Sequence, residues 1–206
     1  MTRSLWTGDR PLLLASNSSA RKALLAHAGV PADTEASGVD ERAIEAAAEE
    51  ERLDPPVLAL RLAVEKALAV SRRHPERLVL GADQILDYAG RALHKPHHRG
   101  QAKAHLQQLA GRTHHLRSAV ALARGGAIVD SFLDSAELSM RSLTEAAIET
   151  YLDAVSPETL QNAGVYQVEN LGIHLFERIE GGHSTILGLP LIPCLAALRR
   201  LDCLSF

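Results

Sequence analysis

Apolar positions along the chain fall into short solid runs and longer periodic stretches, a pattern that predicts strands and helices in alternation. Leu12-Leu13-Leu14-Ala15, bounded by Pro11 and a Ser/Asn cluster, predicts a buried first strand. Ser16 to Ser19 supply helix caps, and Arg21 to Ala28 continues as a helix stopped by Gly29 and Pro31. Ala43 to Leu53 is rich in Ala and Glu and reads as helical or mobile, with Pro55-Pro56 ending it. From Val57 to Arg73 the apolar residues Leu58, Leu60, Leu62, Val64, Leu68 and Val70 surround nearly the whole helix, so it should be covered on several sides. Lys66 stands inside that pattern.

Leu78-Val79-Leu80 predicts a second buried strand, followed by Gly81-Ala82-Asp83-Gln84. Ile85 to Tyr88 and Arg91 to Leu93 flank Ala89-Gly90 as a hairpin, which puts Asp83 beside a strand end. Gln101 to Leu109 reads as a helix ended by Gly111. Leu116 to Ala123 and Ala127 to Met140 read as strands joined through Arg124-Gly125-Gly126, and Thr144 caps a helix from Glu145 to Ala154. Gly172 to Ile179 alternates as a strand, and Leu191 to Leu201 reads as a final helix after a loop shaped by Gly181-Gly182 and Gly188. Strands and helices interleave, with hairpins among them, so the expected class is α/β with a mixed twisted sheet. No repeat, low-complexity segment or linker interrupts the chain, and residues 1–206 are expected to form one domain.

Composition narrows the partners. Aromatic residues make up only 3%, so the core must be built from Leu, Ala, Val and Ile. A net charge of −3 gives no general attraction to nucleic acid, and a phosphate ligand would have to meet a local cluster of cations. No apolar run approaches the ~20 residues that span a bilayer. Met1 to Gly8 carries one Arg and no long apolar stretch, so no signal peptide is expected and a cytoplasmic location is the default. Cys194 and Cys203 read as small apolar fillers rather than a disulfide framework. The groups His94, His97, His98 and His114, His115 fit none of the usual zinc spacings.

Three constellations could carry chemistry. Ser16-Asn17-Ser18-Ser19-Ala20-Arg21 lies between a strand and a helix, where unpaired N–H groups, hydroxyls and an Arg fork can cradle a phosphate; plain capping is the alternative. Asp83 follows an apolar strand and a Gly-Ala pair, and a carboxylate there can bind Mg²⁺ or take a proton from water, where a turn aspartate is the bland reading. Glu41, preceded by Asp40, is a second metal ligand or a solvated acid. Lys66 and Lys95, the latter in His94-Lys95-Pro96, can neutralise a departing polyphosphate or sit as surface charges.

These signals occur in a recognisable order. Leu14 to Arg21, Val39-Asp40-Glu41, Arg61 to Ala67, Leu80 to Gln84, Lys95-Pro96, Leu109 to His114, Ala163 to Tyr166 and Ile186 to Leu191 together resemble the Maf family of nucleotide pyrophosphatases, along nearly the whole chain. The resemblance implies an inosine triphosphatase-like α/β fold: a long twisted mixed sheet, two lobes around a cleft, often a homodimer. It implies Asp83 as general base, Glu41 and Asp83 facing a divalent metal, Mg²⁺ or Mn²⁺, and Ser16, Ser18, Arg21, Lys66 and Lys95 as the phosphate-binding set. The implied reaction splits a nucleoside triphosphate into the monophosphate and pyrophosphate, with no membrane or nucleic-acid partner. Three positions bear on specificity. Ala20, Gln84 and Glu169 break the pattern of the branch acting on dTTP and UTP; Gln84 and Glu169 resemble the branch acting on 7-methyl-GTP, which commonly has Trp where this chain has Ala20. The alternatives are a dTTP/UTP pyrophosphatase and a nucleotide-binding regulator of cell division (septum formation) without significant turnover.

Overall fold

The computed structural model describes residues 5–206; the first four, where the reading of the N-terminus begins, lie outside them. The elements run β1 (Leu12–Leu14), α1 (Ser19–His27), β2 (Ala32–Thr34), α2 (Glu41–Glu51), α3 (Pro55–Arg73), β3 (Val79–Tyr88), β4 (Arg91–Leu93) and α4 (Arg99–Leu109). They continue with β5 (Thr113–Arg124), β6 (Ala127–Met140), α5 (Glu145–Ala154), α6 (Pro157–Leu160), β7 (Phe176–Glu180), α7 (His183–Ile186) and α8 (Leu191–Arg200). The strands form one mixed sheet in the order β2-β1-β3-β5-β6-β7, with β4 also paired to β3. β1 is parallel to β2 and β3, and the remaining pairs are antiparallel. The sequence-derived α/β class with a mixed sheet therefore holds. Among the described residues no helix is long and apolar enough to cross a membrane.

Alternation along β3 and β5 sorts the core into two faces. Ile85 on β3 and Ala119, Ala121 and Ala123 on β5 share an apolar cluster with Leu58, Ala59, Leu62, Ala63 and Ala67 of α3. The small residues let the helix lie close to the strands. Closest is Gly81, where a Cβ would fall 2.2 Å from the Ala63 carbonyl oxygen and 2.6 Å from the Ala67 nitrogen. On the opposite face Leu80, Ala82, Val120 and Leu122 pack with residues of α1 and α8, while Leu86 and Leu116 join a second cluster with α4 and α5. Gln84 and Ser118, paired across β3 and β5, sit between those two clusters.

β5 occupies one whole edge of β3, so β1 and β4 must share the other. β1 reaches only Leu80, and β4 begins only at Leu86. Between them a stretch of β3 containing Asp83 and Gln84 faces no strand, and the sheet opens there.

Several expectations are corrected. Asp83 lies in the interior of a ten-residue strand rather than at a strand end, because β5 pairs continuously through it and Gly81 is selected by the helix overhead, not by a turn. Gly172 to Ile179 is not one strand: Leu171–Leu175 forms a 3-10 helix and only Phe176 onward joins β6. Gly172 is packed on the Gln167 backbone, with 2.5 Å from its would-be Cβ to the Gln167 carbonyl oxygen. The short β2, α6 and α7 are additional. The stretch from Ala43 is helical only as far as Glu51: Asp40 caps α2 by accepting from Ala43 N at 3.1 Å, the helix ends at the left-handed Arg52 (φ 54°), and Pro55-Pro56, expected to end it, instead begin α3, where a first-turn proline loses no helical hydrogen bond.

Both cysteines are buried free thiols, and burial pushes that of Cys194 up to about 12. His114 is fully buried beside Tyr166, its Nε2 2.7 Å from the Tyr166 hydroxyl, and burial holds its pKa at about 4.

Two predictions follow from this packing. Gly81→Ala should cost about 1–3 kcal/mol, since the added methyl meets helix backbone that cannot swing aside; thermal denaturation that leaves Tm unchanged would contradict the close approach. His114 is neutral when folded and protonates more readily when unfolded, so stability should fall as pH drops from about 6.5 to about 4. The contribution is about 3 kcal/mol, and urea titrations across that range should show the slope flattened in His114→Gln.

Candidate active site

The open edge of β3 forms the floor of a cleft of about 1500 Å³. That exceeds the roughly 300–1,000 Å³ of ordinary small-ligand pockets and suits an elongated ligand. All the site residues singled out from the sequence line it: Ser16, Ser18, Ala20, Arg21, Glu41, Lys66, Asp83, Gln84, Lys95 and Glu169.

At its centre Lys66 Nζ lies 2.6 Å from Asp83 Oδ1 and 2.8 Å from Glu41 Oε1. The side chains of Lys66 and Asp83 are 8% and 10% exposed, whereas Glu41 is 44% exposed at the first turn of α2. The contact follows from the fold. Gly81 and Asp83 point to the same face of β3, and the helix that touches Gly81 through Ala63 and Ala67 carries Lys66 beside them. Burial pushes the Asp83 carboxyl above the ordinary aspartate range, against the opposing pull of Lys66 and Arg21. A buried ion pair is weak support for stability, since desolvation offsets much of its attraction; a carboxylate with raised proton affinity on a cleft floor is suited to accepting a proton.

The loop between β1 and α1 supplies the second wall. Ser18 caps α1 by accepting from Arg21 N at 3.3 Å. Ser16 Oγ accepts from Ser18 N and from Arg21 Nη1, both at 3.2 Å. Both hydroxyls act as acceptors there, so their hydrogens are left to donate to an anion. Arg21 Nε donates to the Gly188 carbonyl at 2.8 Å. Burial lowers the Arg21 pKa, countered by the charges of Asp83 and Glu41, and an arginine remains protonated regardless. Lys95, exposed between β4 and α4, makes no ion pair among the described residues.

Gln84 and Glu169 stand differently. The Gln84 side chain donates through Nε2 to Ser118 Oγ at 2.8 Å and to the carbonyls of Thr185 and Ile186 at 2.9 and 3.1 Å, so only its Oε1 is left for a ligand. Glu169 is exposed and lines the same cleft, as do Gln161, Asn162 and Gln167.

Sequence reasoning missed a clasp at the rim. His94 Nδ1 lies 3.2 Å from Glu45 and its Nε2 3.3 Å from Glu49, joining α2 to the segment that carries Lys95. The signal was present, since Glu45 and Glu49 follow Glu41 at helical spacing on one face of α2. The hydrogen bond to Glu45 foremost raises the His94 pKa, against burial.

Among the described residues no group of three or more His, Cys, Asp or Glu forms a ready metal site. Glu41 and Asp83 nevertheless converge on the single point held by the Lys66 ammonium. Two hard carboxylates lining one cleft are the kind of ligands that hold Mg²⁺ beside phosphates.

The structure is that of an α/β protein with a mixed sheet and a cluster of acidic and basic side chains lining an open cleft. The chain belongs to the Maf-like protein family, whose model matches residues 11–201. It is 51% identical over 195 residues to a nucleoside triphosphate pyrophosphatase of Bradyrhizobium diazoefficiens, covering 95% of this chain and 96% of that protein. It is 49% identical over 196 residues to a protein of the same name from Nitrobacter winogradskyi, covering 95% and 96%. A 7-methyl-GTP pyrophosphatase of Rhizobium etli is 44% identical over 190 residues, covering 92% and 96%.

Proposed function

We propose that this protein hydrolyses a nucleoside triphosphate to the monophosphate and pyrophosphate, with 7-methyl-GTP as the preferred substrate. The observation that carries the reading is the Glu41–Lys66–Asp83 cluster on the cleft floor, beside the Ser16/Ser18/Arg21 cradle. The names of the relatives from Bradyrhizobium and Nitrobacter support the activity.

In this reading Asp83 takes a proton from water as the water oxygen bonds to the α-phosphorus. The bond from that phosphorus to the bridging oxygen breaks, and pyrophosphate leaves. Lys66 orients the Asp83 carboxylate through its 2.6 Å contact. Arg21, the two serine hydroxyls and Lys95 hold the phosphate oxygens, and the work is positioning and charge neutralisation. Glu41 and Asp83 would hold the divalent cation, Mg²⁺ or Mn²⁺, which supplies further neutralisation of phosphate charge.

Specificity for the methylated purine is supported by the acceptors on the walls. Glu169 accepts hydrogen bonds from N–H groups of a guanine edge, and its negative charge favours a cationic methylated ring. Gln84 can add only an acceptor, through Oε1. The Rhizobium relative's name agrees with this choice. Ala20 offers no aromatic ring for stacking.

Pyrophosphate release from a panel of 7-methyl-GTP, GTP, dTTP and UTP with Mg²⁺ or Mn²⁺ tests the reading. Asp83→Asn should lower kcat by about 10²–10⁴-fold, the range of a general base, while calorimetry still detects nucleotide. Equal, negligible turnover in both proteins would instead favour a non-catalytic nucleotide-binding role. Glu169→Gln should reduce kcat/KM for guanine nucleotides more than for dTTP and UTP; an unchanged ranking would remove Glu169 from base recognition.

A further inference from the structure

Gly188 lies just after α7, a helix of only four residues, too short to hold its own position. Its carbonyl nevertheless anchors Arg21 at 2.8 Å, and a Cβ at Gly188 would fall 3.4 Å from the guanidinium. What fixes this segment is a set of tertiary hydrogen bonds from strands β3, β5 and β6. Thr185, 1% exposed, donates from Oγ1 to Asp134 Oδ2 at 2.6 Å. The other Asp134 oxygen accepts from Ser135 N at 2.8 Å, so the carboxylate is held at both ends. The Thr185 carbonyl accepts from Ser118 Oγ at 2.8 Å, Gln84 Nε2 at 2.9 Å and Gly188 N at 3.0 Å, and the Ile186 carbonyl accepts from Gln84 at 3.1 Å.

We propose that Asp134 and Thr185, with Ser118 and Gln84, form a positioning network that sets Arg21 for the substrate's phosphates through the Gly188 carbonyl. The proposal rests on the phosphate-binding reading of Arg21 given above. None of the four needs to touch phosphate. With Nε on Gly188 and Nη1 on Ser16, the rest of the guanidinium fork is left for the ligand. Arginine is rotamer-rich, so a fixed acceptor behind it reduces the freedom lost when the phosphates bind. The network also gives Gln84 a second task. Its amide hydrogens hold the α7 segment, so a change there would disturb phosphate binding as well as base choice.

The test is a double-mutant cycle on the full chain, reading kcat and KM for nucleoside triphosphate hydrolysis together with Tm. Thr185→Val keeps the side chain's shape and removes the hydroxyl, and should lower kcat/KM about tenfold, mainly through KM. In an Arg21→Ala background the same change should cost less than about twofold, because residues acting through one another are not additive. Thr185→Ser should restore most of the loss. Equal factors in both backgrounds, or a lowered Tm with unchanged kcat/KM, would overturn the network's role. If Thr185→Val does not fold, Asp134→Ala enters the same cycle. A wild-type protein without turnover would count against the proposed activity, and the cycle would then be read on nucleotide affinity by calorimetry, where absence of coupling still refutes the positioning role.

Discussion

The close passage of α3 over Gly81 is the constraint on which the site depends. A helix at ordinary distance from the sheet would leave an ammonium and a carboxylate separated by water; here the absence of a Cβ at Gly81 lets Ala63 and Ala67 reach the strand backbone. Lys66 is thereby carried to 2.6 Å from Asp83, where both are buried. Desolvation works against such a pair, and its charges must be satisfied by each other and by Glu41 and Arg21 nearby. Packing small residues in α3 and β5 is thus inseparable from the electrostatics of the cleft.

Sheet topology supplies the access. Two short strands share one edge of β3 without meeting, and the gap leaves the middle of a central strand without a strand partner on that side. Asp83 is thus held by continuous backbone pairing along β5 while its strand has no strand neighbour on the other side. Around the gap, loops bring Ser16, Ser18, Arg21 and Lys95 to the same cleft, and tertiary hydrogen bonds join the Arg21 loop to the segment after α7.

Much of the fold was legible from local pattern. The solid apolar runs marked β1 and the start of β3, helical spacing marked α3, and the capping segment Ser16 to Ser19 and Thr144 marked helix starts that the structure keeps, the first through Ser18. Where the pattern misled, a long-range contact had overridden it. Asp83 resembles a residue beside a strand end until its continuous pairing with β5 is known, and Gly172 resembles a strand residue until its packing against the Gln167 backbone is seen. The candidate site residues were legible by type and by order along the chain, and all of them line one cleft. Of the clasp between His94 and α2 only the helical spacing of Glu45 and Glu49 was legible; that His94 meets them was not, because it lies far from them in sequence and no motif joins them.

By itself, the sequence determined which segments become strands and helices, the family to which the chain belongs, and the inventory of acids, lysines and hydroxyls available for phosphate chemistry. Hydrophobic period and capping act over a few residues, so they can be read locally. Only the tertiary structure decided that Lys66 stands between Glu41 and Asp83, that the Gln84 amide is engaged by the α7 segment, and that the Gly188 carbonyl accepts from Arg21. Those outcomes depend on distances between elements remote in sequence, which are set by how side-chain volumes pack across the sheet.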